Sequence, residues 1–136
     1  NQLNRLKIII FKKKRIGKLY YKYLKNNPHI FIQKPKLNKF ENIYWVVGIL
    51  INKKKILSTN FQKKLKKKGI ETRSFFWPMH RQMALKKLGF KFKGNFINSD
   101  YISKYGLYLP SGISTSDKEI KYVCKCINNI TKKFDN

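Results

Sequence analysis

The chain has 136 residues, of which 42% are hydrophobic, so its length and composition suit one modest folded domain rather than a disordered segment. Its 32 basic residues outnumber 6 acidic ones and give a formal net charge of +26. Two cysteines exclude a disulfide framework and a four-cysteine zinc site. No apolar run approaches the roughly 20 residues of a membrane span, and no signal peptide is visible. We therefore expect a cytoplasmic protein with reduced thiols and no membrane partner.

The positive charge has two interpretations. A basic nucleic-acid-binding module would bind polyanions in a salt-dependent way. Such modules favour arginine for bidentate contacts, yet only four of the 32 basic residues are arginine. The abundance of lysine, isoleucine and asparagine is also typical of an AT-rich coding sequence. We favour this compositional bias, expect no specific nucleic-acid partner, and keep the nucleic-acid module as an alternative.

The first half of the chain begins with a long helix. Apolar residues recur at spacings of three and four from 2 to 24, and we interpret the charged run 12–15 as its solvated face. Residues 30–32 form a possible short strand. The near-continuous apolar run 43–51 predicts a strand that is covered on both faces, with Trp45 in the core or at a domain interface.

The second half alternates helices and strands. A basic turn at 52–55 precedes a helix that Ser58 or Thr59 caps and that ends near Lys68. We predict short helices at 81–88 and from about 98 to 105, the latter capped by Asn98, Ser99 or Asp100. A strand follows at 107–109.

The last helix begins with a capping box, because Glu119 follows Ser116 by three residues. Its predicted inner face is formed by Ile120, Val123, Cys124, Ile127 and Ile130. The complete order of elements predicts an α+β fold, with a small mostly antiparallel sheet covered by helices.

The stretch from Lys68 to His80, KGIETRSFFWPMH, carries the strongest indication of a site. Phe75, Phe76 and Trp77 alternate sides of an extended chain, so at least one of them must face a cleft or another chain. Pro78 ends the strand and leaves His80 on a constrained loop. An aromatic wall with one guanidinium and one imidazole predicts a site for a polar ligand.

Two segments of the sequence resemble a known family. GIETRSFFWPMHRQ and YGLYLPSGISTSDKEI are similar to the C-terminal part of the DegT/StrS-type nucleotide-sugar aminotransferases. The resemblance extends over nearly the whole chain, with residues 1–24 similar to the family's long connecting helix. Ser74 stands where the family pattern has proline, and the triplet 81–83 replaces an acidic-Gln-Pro triplet.

The resemblance implies a domain organisation. Residues 1–27 would be the connecting helix, and 28–136 the small C-terminal α+β domain of a fold-type I aminotransferase. The large domain, which holds pyridoxal 5'-phosphate on a Schiff-base lysine, would be absent from this chain. We therefore expect no catalytic, cofactor-binding or metal-binding residue here, and a fragment that is inactive alone.

The resemblance also implies an activity for the complete enzyme, which would be a homodimer. An amino group would pass from glutamate to a 4-keto-6-deoxy sugar nucleotide of the perosamine type, for surface polysaccharide (O-antigen) biosynthesis. A related sugar dehydratase with the same fold, and an inactive remnant of the enzyme, stay open as alternatives.

Within this frame four residues are predicted to bind substrate. Arg73 would offer a guanidinium fork to a phosphate or to the glutamate carboxylate, unless it is a surface arginine on a strand. Phe76 and Trp77 would form the wall beside the sugar or the base, or else pack against the large domain. His80 would donate a hydrogen bond to sugar or phosphate, or else order its own loop. For Tyr108 and residues 110–112 we favour a structural role.

Overall fold

The computed structural model describes residues 3–52 and 56–135, so the basic turn predicted at 52–55 lies mostly outside the described residues. Its strands are β1 (Ile30–Ile32), β2 (Lys36–Leu37), β3 (Phe40–Glu41), β4 (Val47–Ile51), β5 (Arg73–Ser74) and β6 (Gly106–Leu109). Its α-helices are α1 (Leu6–Leu24), α2 (Ser58–Lys66), α3 (Met83–Lys87), α4 (Ile97–Tyr105) and α5 (Asp117–Lys132). Short 3-10 turns cover Leu3–Arg5 and Met79–Arg81.

The main sheet has four antiparallel strands in the spatial order β1-β4-β6-β5, and β2 pairs with β3 in a separate hairpin. In the register, Ile49 pairs with Leu107 and Val47 with Leu109, so these side chains share one face. The predicted α+β fold with a small antiparallel sheet covered by helices is confirmed. The strand of the aromatic stretch is an edge strand, because β5 pairs only with β6 among the described strands.

The core lies where α1, α2 and α5 meet the sheet. Its fully buried large side chains include Ile16, Tyr20, Leu24, Ile49, Ile51, Phe61, Leu65, Leu107, Ile120 and Ile127. The inner face predicted for α5 is confirmed, because Ile120, Val123, Cys124 and Ile127 are buried and Ile130 packs against the core. The C-terminal half of α1 belongs to this same core, so the proposed connecting helix also stabilises the domain that follows it.

Helix starts follow the sequence signals only in part. The capping box of α5 is confirmed: Ser116 accepts the Glu119 amide, and the Glu119 carboxylate accepts the Ser116 amide at 2.7 Å. The cap predicted for α2 is wrong, because Leu57 holds the N-cap position and the buried Ser58 hydroxyl donates to the Lys104 carbonyl at 2.8 Å. A tertiary hydrogen bond has replaced the local one.

The long apolar run 43–51 is shorter as a strand than predicted. Tyr44 has a φ of 53°, which interrupts the extended backbone, and Trp45 beyond it is 67% exposed. The buried Tyr44 ring lies against α1, where a Cβ on Gly17 would be 2.1 Å from it. Only glycine fits at position 17, and the close approach fixes the chain just before Trp45.

The charged run 12–15 is not simply a solvated face. Lys14 forms a salt bridge with Glu41 at 2.6 Å, and Arg15 forms one with Asp117. Lys13 is partly buried and donates to two backbone carbonyls, those of Trp45 at 2.8 Å and Ser111 at 2.7 Å. The run therefore connects α1 to four later residues of the chain. Searched over residues 3–52 and 56–135, the helices include none long and apolar enough to cross a membrane.

Candidate functional site

An open cleft of about 860 Å³ lies between α1, α2, β5 and the turn that follows β6. We call it the α2 cleft. The residues that line it include Lys13, Trp45, Lys63, Lys66, Arg73 and Phe76. Residues 59, 62, 63 and 66 line it from α2, a spacing that places them on one face of that helix. The cleft thus combines aromatic rings with several basic side chains.

Two aromatic residues form one side of the α2 cleft. The rings of Trp45 and Phe76 stack with centroids 6.0 Å apart and an interplanar angle of 16°. Phe76 is 57% exposed, so the prediction that at least one of the adjacent aromatics faces outward is confirmed. The two rings are nearly parallel and both line the cleft, although each residue lies on a different loop.

Phe75 holds the aromatic segment onto the sheet. Its ring packs on Tyr108 with centroids 4.7 Å apart, and its amide donates to the Gly106 carbonyl at 3.3 Å. A Cβ on Gly48 would lie 2.9 Å from this ring, and one on Gly106 would lie 3.0 Å from it. The two glycines leave room for the ring, so Phe75 anchors the segment while Phe76 turns outward.

Arg73 lies on β5 opposite Tyr108 and lines the α2 cleft. Its side chain is exposed, and it forms no salt bridge with a described carboxylate. The guanidinium can therefore receive an anion from solvent. Its assignment to substrate stays a prediction.

His80 lies outside the α2 cleft, in a cluster with Arg81, Phe96 and Asp100. Its Nε2 is 2.9 Å from an Asp100 carboxylate oxygen, and its ring stacks on Phe96 with centroids 4.5 Å apart. The Arg81 Nε donates to the same oxygen at 2.7 Å. Partial desolvation opposes the charged form of Asp100, but the hydrogen bonds from Arg81 and His80 outweigh it and hold the pKa of that carboxyl below its usual range. These are contacts that order the loop.

Asp100 was predicted as one possible cap for α4, and this is wrong. That helix begins at Ile97, with Phe96 at the N-cap and no side-chain cap. The Asp100 carboxylate instead forms a hydrogen bond with His80, which lies twenty residues away in sequence.

Trp77 also lies outside the α2 cleft and is 57% exposed. Its indole Nε1 donates to the Arg81 carbonyl at 3.2 Å, and the Gln82 side chain donates to the Trp77 carbonyl at 3.3 Å. The four predicted site residues are thus divided. Arg73 and Phe76 share the cleft, whereas Trp77 and His80 lie on either side of Pro78 and outside the cleft.

Two residues of the cleft were not predicted as site residues. Trp45 was assigned to a core or an interface because it lies in an apolar run, and its exposure follows from the break at Tyr44. Lys13 was assigned to solvent, although it precedes the buried Ile16 and Tyr20 by three and seven residues and so shares their helix face. That spacing was the available signal. Burial lowers the pKa of the Lys13 ammonium.

Comparison with known proteins identifies the family. The model of the DegT/DnrJ/EryC1/StrS aminotransferase family matches residues 1–128. This chain belongs to that family. A GDP-perosamine synthase of Vibrio cholerae is 30% identical over 129 residues, which are 94% of this chain and 34% of that protein. The chain spans about a third of the length of the curated relatives it matches.

Solved structures of sugar-modifying enzymes share the fold of this family member. PseC of Helicobacter pylori, an aminotransferase involved in the biosynthesis of pseudoaminic acid, superposes with a TM-score of 0.83 at 17% identity, covering 98% of this chain and 35% of that one. The GDP-4-keto-6-deoxy-D-mannose-3-dehydratase of E. coli, solved with bound hydrated PLP, gives 0.78 at 20% identity over 92% of this chain and 32% of that one. The resemblance to the C-terminal part of such enzymes is confirmed.

Among the lysines that line the cleft, Lys13 has a pKa that burial lowers, which favours its neutral amine. Its Nζ already donates hydrogen bonds to two backbone carbonyls, so it is not free to form a Schiff base. Within 3–52 and 56–135, no three His, Cys, Asp or Glu residues are grouped so that they could hold a metal ion. The burial of Cys124 raises the pKa of its thiol to about 12, which keeps it protonated and unreactive.

Proposed function

We propose that this chain is the small C-terminal domain of a pyridoxal-phosphate-dependent nucleotide-sugar aminotransferase. Residues 1–27 would connect it to a large cofactor-binding domain, and residues 28–136 would cover the active-site cleft. The observation that carries the proposal is the family match, together with an open cleft that Arg73 and Phe76 of the aromatic segment line. The chain alone would be inactive, because the Schiff-base lysine would belong to the large domain.

The complete enzyme would be a cytoplasmic homodimer that transfers an amino group from glutamate to a 4-keto-6-deoxy sugar nucleotide. The identity to a GDP-perosamine synthase supports a product of the perosamine type, used in O-antigen biosynthesis. The cofactor, when bound by the large domain, would supply the electron sink for amino transfer. The residues of this chain would bind and orient the substrate and exclude water from the cleft.

Each predicted site residue keeps a defined task in this proposal. Arg73 would bind an anionic group of the substrate through its unpaired guanidinium. Phe76 would provide an apolar wall. Trp77 and His80, on either side of Pro78, would contact the sugar, with Asp100 and Phe96 holding the imidazole in place.

The nucleic-acid alternative is not favoured by any observation on the described residues. Exposed lysines are spread over α1, α2, α3 and α5 rather than gathered on one face. A duplex-binding or single-strand-binding surface needs a continuous basic stripe.

The first test is the DNA immediately upstream of the codon for Asn1. An open reading frame there, in frame or adjacent, should encode a lysine-bearing pyridoxal-phosphate domain of about two thirds of the relatives' length. The reconstituted protein should then form an aminated sugar nucleotide from glutamate, and Arg73→Gln should raise the KM for the sugar nucleotide while Lys64→Gln leaves it unchanged. If the upstream DNA encodes no such domain, the proposal fails for this chain.

A further inference from the structure

The two histidines of the chain have similar partners but different surroundings. The Nε2 of His29 lies 2.7 Å from an oxygen of Asp135, and the Nε2 of His80 lies 2.9 Å from an oxygen of Asp100. The Nδ1 of His29 is buried without a hydrogen-bond partner. The Nδ1 of His80 also has no partner among the described residues, but it is not among the buried unpaired atoms, and the side chain is 15% exposed. His80 therefore has one ring nitrogen that is open to a ligand.

The position of the hydrogen on the His80 ring is set by Asp100. The oxygen that contacts Nε2 also accepts a hydrogen bond from the Nε of Arg81 at 2.7 Å. A carboxylate that is ionised beside a guanidinium accepts hydrogen bonds and has no hydrogen to donate. The Nε2 of His80 must then carry the hydrogen of this contact. In a neutral imidazole the other nitrogen is an acceptor, so Nδ1 presents a lone pair to solvent.

The ring that carries this lone pair is held in one orientation. His80 stacks on Phe96 with centroids 4.5 Å apart and an interplanar angle of 14°. Phe96 is the N-cap of α4, and Asp100 lies in the first turn of that helix. The start of one helix therefore fixes both the plane of the ring and its Nε2. An acceptor that is held in place before binding loses little conformational entropy when a ligand arrives.

The surroundings of His80 favour a hydroxyl over a phosphate as its partner. The charge of Arg81 is paired with Asp100, and the indole N–H of Trp77 donates to the Arg81 carbonyl at 3.2 Å. A phosphate oxygen needs a hydrogen-bond donor or an unpaired cation, and a nitrogen lone pair offers neither. A hydroxyl can donate its hydrogen to that lone pair.

We propose that Asp100 is a positioning residue that makes His80 a hydrogen-bond acceptor for a hydroxyl group of the substrate. The contact would be made at Nδ1, which carries no hydrogen because Asp100 holds the hydrogen on Nε2. This reverses the donor role that the sequence predicted for His80, and it makes phosphate an unfavourable partner while the ring is neutral. That the hydroxyl belongs to a sugar rests on the proposed function, whereas the tautomer can be measured on this chain alone.

The first test is nuclear magnetic resonance of the isotopically labelled chain at a pH of about 8.5, where an ordinary imidazole is neutral. Long-range correlations between protons and nitrogens distinguish a protonated ring nitrogen from an unprotonated one. The signals that disappear in His80→Gln belong to His80. They should show hydrogen on Nε2 and none on Nδ1. A spectrum with the hydrogen on Nδ1 would overturn the proposal.

Two variants separate positioning from packing of the loop. Asp100→Ala should populate the second tautomer and move the two nitrogen resonances of His80 towards each other. Arg81→Gln removes the other hydrogen bond of the same carboxylate but leaves the acceptor of Nε2, so it should keep the tautomer. The signals of His29, which pairs with Asp135, should stay unchanged in both variants. An unchanged His80 spectrum in Asp100→Ala, or equal changes in the two variants, would show that Asp100 does not position the ring.

The second test uses the reconstituted enzyme with sugar nucleotides that each lack one hydroxyl of the sugar. His80→Phe keeps the stacking on Phe96 and removes both ring nitrogens. It should raise the KM for the complete substrate several-fold, up to about tenfold, as the loss of one hydrogen bond does. One deoxy analogue should show the same increase with the wild type and no further increase with His80→Phe. If every analogue loses as much with His80→Phe as with the wild type, His80 accepts no hydroxyl of the sugar.

The outcomes are separable from that of the proposed function. If the tautomer depends on Asp100 but the reconstituted enzyme transfers no amino group, the positioning role stands and the sugar is rejected as the ligand. If amino groups are transferred but the tautomer does not depend on Asp100, the enzyme stands and the role of Asp100 is rejected.

Discussion

The packed core and the segment 75–100 differ in how their apolar residues are used. In the core, the helices α1, α2 and α5 bury rings and aliphatic side chains against the sheet almost completely. In the segment 75–100, Pro78 is the residue that is buried. Large apolar side chains nevertheless lie along the segment, and they are exposed: Phe76, Trp77, Met79, Met83, Leu88 and Phe90.

The difference separates the part of the chain that forms the core from a part whose apolar side chains are left exposed. Phe75 attaches the segment to β6, through its ring on Tyr108 and its amide on the Gly106 carbonyl, whereas the contacts of Asp100 with His80 and Arg81 order the segment internally. An exposed apolar surface of this kind is typical of a region that contacts a ligand or another domain. Changes in the segment should therefore affect binding, and changes in the core should affect stability.

The largest expected effect is on a core ring. Phe61→Ala should lower the free energy of unfolding by about 3 to 5 kcal/mol, because Phe61 is fully buried and its loss leaves a cavity. Phe90→Ala removes the same side chain from a position that is 59% exposed and should change it by less than about 0.5 kcal/mol. Urea denaturation of both variants compares the two regions directly. Similar losses would mean that the segment 75–100 also carries the fold.

A smaller effect is expected at the start of α5. Ser116→Ala removes the hydroxyl of the capping box and should cost about 1 kcal/mol in thermal or urea denaturation. Ser114→Ala, in the exposed turn just before it, is the matched control and should be neutral. A neutral Ser116→Ala would show that packing alone fixes the start of this helix.

The smallest effect on global stability is expected for Asp100→Asn, which should loosen the segment without unfolding the core. The pKa of Asp100 is lower in the folded protein than in the unfolded chain, so its ionised form stabilises the fold. This contribution is present above the unfolded value of about 4 and is lost as the pH falls through the folded value.

Hydrogen exchange measures this local effect. Amides of residues 79–100 should lose protection in Asp100→Asn near neutral pH and in the wild type at acidic pH, while amides of β4 and β6 keep theirs. The same loss of protection in β4 and β6 would show that the two regions unfold together.

Repeating patterns predicted the regular elements well. The spacing of apolar residues located α1 and α5, and the capping box fixed where α5 begins. These signals are local, because a helix face and its cap are set by residues three or four positions apart.

The misses come from contacts between residues that are distant in sequence. Ser58 bonds across to Lys104 instead of capping its own helix, and Asp100 pairs with His80. The break at Tyr44 depends on the space that Gly17 leaves, and it exposes Trp45. Arg73 and Phe76 of the aromatic segment line the cleft, and their binding role stays a prediction; the α2 lysines that line the same cleft could not be told from the many other lysines before the fold was known.

The double hydrogen bond of Lys13 has a mechanical consequence. The Lys13 ammonium group on α1 donates hydrogen bonds to the loop of Trp45 and to the turn of Ser111, and both residues line the α2 cleft. A rotation of α1 about its axis would therefore displace the Trp45 loop and the Ser111 turn together, because both are hydrogen-bonded to Lys13. The aperture of the cleft is in this way linked to the orientation of the helix that leads into the domain.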